Sequence, residues 1–271
     1  MAFSGKWKPD GSKDIRLSRG KPSGPARSQR FRGKRLHPSF SPRLVKPVID
    51  QLRAAFKGNF RGLILYGSWA KGTARSDSDI DLLTVLERIS SKASRTISKI
   101  EAVCSKEHEV SIVLASRQDF GRESLPLYTA AKREGRILWG KADLTVNPEK
   151  PSVKYKQAHQ KSKDFELGKI RMAEEILEKH PSYGSSALCF SAAKHGIQMA
   201  LAMRGVGYSS KLSVLLPLTE TFFGPKIARA FRNLVSLYIK SEYQMEFLTP
   251  KESARSVEYA KQVATVYDLI P

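Results

Sequence analysis

The sequence predicts an α/β (α+β) sheet domain followed by an all-α antiparallel helical bundle, with a disordered basic tail ahead of both. Three observations carry this. Between 60 and 139, short apolar runs alternate with turn residues and short helical stretches, the pattern of a mixed sheet with helices. From 155 onward, apolar residues recur at helical spacing and no strand pattern returns. Before 42, neither period is sustained, and Gly, Pro, Ser and Arg are abundant. The expected limits are 1–42 for the tail, 43–144 for the sheet domain and 152–271 for the bundle. Asn147-Pro148 and Pro151 punctuate the linker between the last two.

The tail comes first. Residues 1–43 hold twelve Lys or Arg against two Asp, a net +10 out of the chain's +21. Lys6, Lys8, Arg27, Arg30, Arg32, Lys34 and Arg35 are interleaved with Trp7, Phe31 and Phe40. Cations with aromatics between them suit single-stranded nucleic acid, so RNA is the expected partner. Generic polyanion affinity of a solvated tail is an equal reading. A transit peptide is a third, opposed by the Pro and Gly content.

From 42 the elements follow in order. Pro42, Val45, Val48, Ile49, Leu52 and Phe56 give a lead helix that stops at Gly58. Strands are expected over 60–66, 80–86, 109–115 and 136–139, and helices just after Ser68 and over 88–104 and 124–134. In the second half, helices are expected over 155–179, 187–203, 211–223 with an interruption at Pro217, 226–247 and 253–270.

The chain is organised around 63–86, LILYGSWAKGTARSDSDIDLLTVL. A strand runs into the turn pair Gly67-Ser68, and a second strand starts at Ser78-Asp79-Ile80-Asp81. Side chains alternate along a strand, so Asp79 and Asp81 share a face. Two carboxylates beside a glycine turn can hold divalent cations while the turn amides hold phosphates.

This stretch resembles the signature of the DNA polymerase β-like nucleotidyltransferase superfamily, in the form found in minimal nucleotidyltransferases. It stands here as Gly67-Ser68-Trp69-Ala70-Lys71-Gly72, five residues, then Ser78-Asp79-Ile80-Asp81-Leu82. Lys71 takes the place of the usual Arg, which keeps the charge and loses the bidentate fork. REGRILWG, up to Gly140, resembles the family's terminal segment, so the resemblance spans 45–140. It implies a nucleotidyltransferase sheet domain. Asp79, Asp81 and a third carboxylate, Glu109, would hold two Mg²⁺ ions and carry the catalysis. Gly67, Ser68, Lys71 and Ser78 would bind a nucleoside triphosphate, with ATP favoured.

The second half resembles the HEPN domain in its run from Ser191 through Leu218, in Arg232 and in Ser241-Glu242-Tyr243. The Arg-x4–6-His pair of the ribonuclease members does not occur between 155 and 271. Lys194, His195, Arg204 and Tyr208 read as bundle-surface groups ahead of cleft groups. A homo-oligomer, if one forms, is expected through this half.

Composition limits the classes further. At 41% hydrophobic the chain can bury a core, and no apolar run reaches the length of a membrane span. Residues 1–10 lack the apolar segment of a signal peptide. Cys104 and Cys189 are far apart, with no His or Cys beside them, and read as plain thiols in a reducing, cytoplasmic setting. Three functions compete. The first is transfer of a nucleoside monophosphate, AMP above all, to a protein or RNA acceptor, in a toxin–antitoxin-like context. The second is an aminoglycoside-type adenylyltransferase, disfavoured because 44–271 still carries a net +11. The third is a non-catalytic RNA-binding or antitoxin-like module, opposed by the intact Asp pair.

Overall fold

Helix α1 (Lys46–Phe56) opens with Pro47 in its first turn and buries Val48 and Leu52 on one face. A computed structural model describes residues 40–105, 108–181, 185–207 and 209–269. The tail cations from Lys6 to Arg35, with Trp7 and Phe31, lie outside these residues. Phe40 lies inside them and departs from its expected place in the tail. It is 7% exposed and packs on Trp69 with ring centroids 5.9 Å apart, so the folded chain begins before 42.

Four strands form one sheet, β1 (Phe60–Leu65), β2 (Ile80–Leu86), β3 (Val110–Ser116) and β4 (Arg136–Gly140), in the order β3-β2-β1-β4. β1 runs antiparallel to β2 and β4, and β2 runs parallel to β3. The parallel pair needs a crossover, supplied by α3 (Ala93–Cys104). One face, with Leu63, Leu65, Leu82 and Leu86, packs under α1 and α3 through Val48, Leu52, Ile97 and Ile100. The other, with Ile64, Leu83 and Val85, packs under Phe120, Tyr128 and Ala131. Both faces are covered, which is why β1 and β2 read as apolar runs and not as alternation.

In the sheet half, two boundaries differ most from expectation. Helix α3 begins at Ala93, because Asn59 holds the 88 turn: its Oδ1 accepts from the Arg88 amide and its side-chain nitrogen donates to the Arg88 carbonyl. A helix, α4 (Arg117–Arg122), precedes α5 (Pro126–Glu134). Ser116 caps α4 by accepting from the Asp119 amide, a start signal in Ser116-x-x-Asp119 that the apolar pattern hid.

After the short α6 (Pro151–Lys154), the rest of the described chain is helical, with α7 (Lys156–Lys179), α8 (Ser186–Met203), α9 (Leu212–Glu242) and α10 (Pro250–Ala264). They enclose a second core that includes Ile197, Leu201, Leu215, Phe231, Leu234 and Val263. The expected interruption at Pro217 does not occur. The helix runs through it, with Leu215 and Thr219 buried on either side, so packing outweighs the lost backbone bond. The break falls at Gly224, with φ 86° and ψ 169°, where Pro225 disfavours helical geometry in the residue before it. Helix α10 starts at a Thr249–Glu252 capping box. The described residues belong to one compact unit. None of the described helices is long and apolar enough to cross a membrane.

Candidate active site

The site starts where β1 ends. The Tyr66 amide donates to the Asp81 carbonyl at 3.0 Å, which ties the end of β1 to the start of β2. Gly67 then turns the chain at φ 71° into α2 (Gly67–Lys71). A Cβ at this position would overlap Asp81 Oδ2, so only glycine lets the turn lie against the carboxylate. Gly72, at φ 74°, closes α2, and the Thr73 amide donates to the Ser68 carbonyl.

Trp69 anchors this loop from beneath. It is 3% exposed, and its indole Nε1 donates to the Ser78 carbonyl at 3.1 Å. Ser78 closes a turn: its hydroxyl accepts from the Arg75 amide at 2.8 Å, and its own amide donates back to the Arg75 carbonyl. The Ser in the motif thus fixes the approach to Asp79 and Asp81 while still facing the cavity.

Asp79 is exposed and Asp81 partly buried. Burial first, then the charge of Asp79, raises the Asp81 carboxyl to about 6, against a smaller opposing pull from Lys71. Two hard oxygen donors side by side, with Asp81 costly to ionise, make a site that a divalent cation relieves, so the pair fits Mg²⁺. Glu109 has its backbone beside them. Its carbonyl accepts from the Ile80 amide at 2.8 Å, and the β2–β3 register places it across from Asp79, on the same sheet face. Its side chain is exposed and is not part of the cavity wall. Among the described residues, no three His, Cys, Asp or Glu converge as a metal site. The structure therefore gathers Asp79 and Asp81 and leaves Glu109 at the head of its strand.

A cavity of about 790 Å³ lies over the pair. Gly67, Ser68, Lys71, Ser78, Asp79 and Asp81 line it from the sheet side. Lys71 Nζ lies 2.7 Å from Glu134 Oε2, a half-exposed ion pair on α5 that counts for little in stability. Across from them, Ser209, Ser210, Lys211 and Ser213 complete the lining from the start of α9. The Gln198 side chain holds that loop to α8 by donating to the Ser209 carbonyl at 2.7 Å.

Sequence reasoning missed this bundle wall. Its one sequence signal is the polar cluster Ser209-Ser210-Lys211 ahead of an apolar helix, which by itself reads as a helix start. The groups read as bundle surface stay in the bundle. Arg204 donates to the Phe222 and Leu269 carbonyls, His195 bonds Glu166 at 3.0 Å, and Lys194 sits over the Phe190 ring. Tyr208 lies outside the described residues.

Residues 48–137 match the family model of the nucleotidyltransferase domain. No curated protein matches the chain. Among solved structures, the chain is similar to the spectinomycin adenyltransferase from Enterococcus faecialis, solved with ATP and spectinomycin. The TM-score is 0.51 at 14% identity, over 83% of this chain and 99% of that one. It is also similar to a nucleotidyltransferase-like protein from Exiguobacterium sibiricum 255-15, with TM-score 0.37 and 12% identity, over 83% of this chain and 74% of that one. At these identities the first likeness is one of fold: a nucleotidyltransferase sheet followed by helices. The segment that holds the acidic wall is a nucleotidyltransferase domain, and nucleotidyl transfer is the reaction class it supports.

Proposed function

We propose that the chain is a Mg²⁺-dependent enzyme that transfers a nucleoside monophosphate, AMP from ATP, to a protein or RNA acceptor. The observation that carries this is one cavity with Asp79 and Asp81 against the Gly67 turn on one wall and Lys211 on the other. Mg²⁺ held by the two Asp residues would neutralise triphosphate charge and favour ionisation of the acceptor hydroxyl. The Gly67 and Ser68 amides and the Ser68 hydroxyl hold phosphate oxygens. Lys71 and Lys211 neutralise the triphosphate from opposite sides. Glu109, exposed beside Asp79 and outside the cavity wall, would take the acceptor's proton by turning its side chain toward the pair. The volume of about 790 Å³ suits a nucleotide with part of an acceptor.

The second reading, a small-molecule adenylyltransferase, draws support from a fold shared along nearly the whole spectinomycin enzyme. The wall's charges weigh against it. Lys71 engages Glu134, and the cation draws on Asp79 and Asp81. Asp77 then shares the lining with Arg75 and Lys211, a poor receptor for a polycationic drug. The HEPN kinship of the bundle, the toxin–antitoxin-like setting, RNA contact by the basic tail, assembly through the bundle and a cytoplasmic location belong to this proposal on sequence pattern alone.

The deciding experiment incubates the protein with Mg²⁺ and each labelled nucleoside triphosphate, offering total RNA, total protein and an aminoglycoside panel. Label from ATP in RNA or protein is expected. Label in a drug alone would establish the second reading, and label nowhere would leave a non-catalytic module.

A further inference from the structure

A second cavity, of about 400 Å³, adjoins the first, and Ala130 and Glu134 on α5 line both. Its lining includes Arg133, the linker residues Asn147 and Lys150, and Lys154 with Tyr155. Beneath it is the most buried ionic group among the described residues. Glu123 is fully buried, and the side chains of Lys132 and Lys154 are 2% and 3% exposed. Lys132 Nζ lies 3.1 Å from one Glu123 oxygen and Lys154 Nζ 2.6 Å from the other. Thr129 and the Asn147 amide also donate to this carboxylate.

The charges do not cancel, since two ammonium groups share one carboxylate. Lys132 has its three donors met, by Glu123 and by the carbonyls of Gly121 and Thr145. Lys154 donates to Glu123 and to the Asn147 carbonyl and lies over the Tyr155 ring, 5.6 Å from its centroid, while among the described residues no oxygen meets its third donor. That group belongs to the cavity lining. An unmatched buried cation is costly unless an anion meets it. Arg133 and Lys150 are exposed at the same cavity, and neither forms an ion pair among the described residues.

We propose that this second cavity holds a phosphate of the acceptor, and that the acceptor is therefore an RNA end and not a protein side chain. The proposal rests on the nucleotidyl-transfer reading and names its acceptor. The phosphate meets Lys154 at the floor and Arg133 and Lys150 at the mouth, while the neighbouring hydroxyl reaches the first cavity past Ala130. In the transfer, the hydroxyl oxygen bonds to the α-phosphorus of ATP. The bridge from α-phosphorus to the β-phosphate oxygen breaks, its electron pair leaves with pyrophosphate, and the hydroxyl proton goes to Glu109. The net +10 of residues 1–43 suits the same kind of partner.

The test compares the full-length protein with Arg133→Glu, Lys150→Glu and the double variant, all exposed sites whose reversal spares the core. The probes are a labelled ribotrinucleotide, with inorganic phosphate as competitor, and ATP measured separately by calorimetry. The double variant should bind the trinucleotide at least about tenfold more weakly, with a salt slope lower by roughly 1.4, about 0.7 for each lost contact. ATP affinity should not change, and phosphate should compete in the wild type alone. A second variant, Lys154→Met, should lose the same competition while keeping a cooperative melt. Unchanged trinucleotide affinity, or an equal loss for ATP, would overturn the proposal, as would transfer of label by the wild type to protein and not to RNA. If the wild type transfers no label yet trinucleotide binding falls in the double variant, the phosphate site stands and the transfer reading fails.

Discussion

Asp81 is a partly buried carboxylate and Glu123 a fully buried one, and their surroundings drive them in opposite directions. Burial and the neighbouring Asp79 push Asp81 up to about 6. Burial would also raise Glu123, but bonds from Lys154, Thr129, the Asn147 amide and Lys132 outweigh it and hold the carboxyl below its usual range. Depth therefore does not decide a carboxylate's role; its partners do. Asp81 has a like charge for a neighbour and an open cavity in front, so it is built to receive a cation. Glu123 has its cations in place and no exposure, so it is built to hold a junction together.

Neutralising each group in turn tests the contrast. The largest effect is expected for Asp79→Asn or Asp81→Asn, which should remove transfer by about a thousandfold or more, as expected when a metal's charge is lost from phosphoryl chemistry. The melting temperature should hold or rise, because a like-charge repulsion disappears. Wild-type turnover in either variant, measured with labelled ATP, would end the assignment. Glu123→Gln should do the reverse, destabilising the fold by about 3–5 kcal/mol by leaving two buried lysines without their carboxylate. Denaturant melts measure this, and a loss near zero would show that the ionic group is dispensable.

Acid should separate the two next. Asp81 has a raised folded value, so without Mg²⁺ stability should increase as pH falls from 7 through about 6, and Asp81→Asn should flatten that rise. Glu123 has a depressed value, so its contribution is present above the ordinary carboxylate range and is lost as pH falls through its lower folded value. Melting temperature against pH, for each variant, reads both slopes. A smaller effect is expected of Lys211→Ala, roughly a tenfold rise in the KM for ATP at unchanged stability, the signature of lost binding charge. The smallest is expected on removing residues 1–34, which spares Phe40 and should leave the melting temperature within about a degree.

Much of the sheet wall was legible because its parts are close in sequence. Alternation along β2 places Asp79 and Asp81 together, and the Gly67 turn precedes them by twelve residues. The 80–86 strand matches its expected limits for the same reason: it is apolar on both faces and bounded by a polar turn. Lys211 could not be read this way. It reaches the cavity only because α8 and α9 pack and Gln198 secures the loop. The Glu123 group was equally hidden. Glu123, Lys132 and Lys154 are spread over three helices or their ends, and each in isolation reads as a surface charge. Phe40 was misplaced because a lone aromatic after a polar, Pro-rich stretch carries no period, while its partner Trp69 lies in the motif.

The stretch between β4 and α6 has the look of a cutting site: polar, with Pro148 and Pro151, and connecting two cores. Its backbone is not free to be cut. The Thr145 carbonyl is held by Lys132, the Asn147 carbonyl by Lys154, and the Asn147 amide by Glu123. A protease needs several residues in extended form, so it must first pull those groups out of the interior. Limited digestion of the native protein should leave the stretch 141–150 uncut, and Glu123→Gln should turn it into a site of early cleavage.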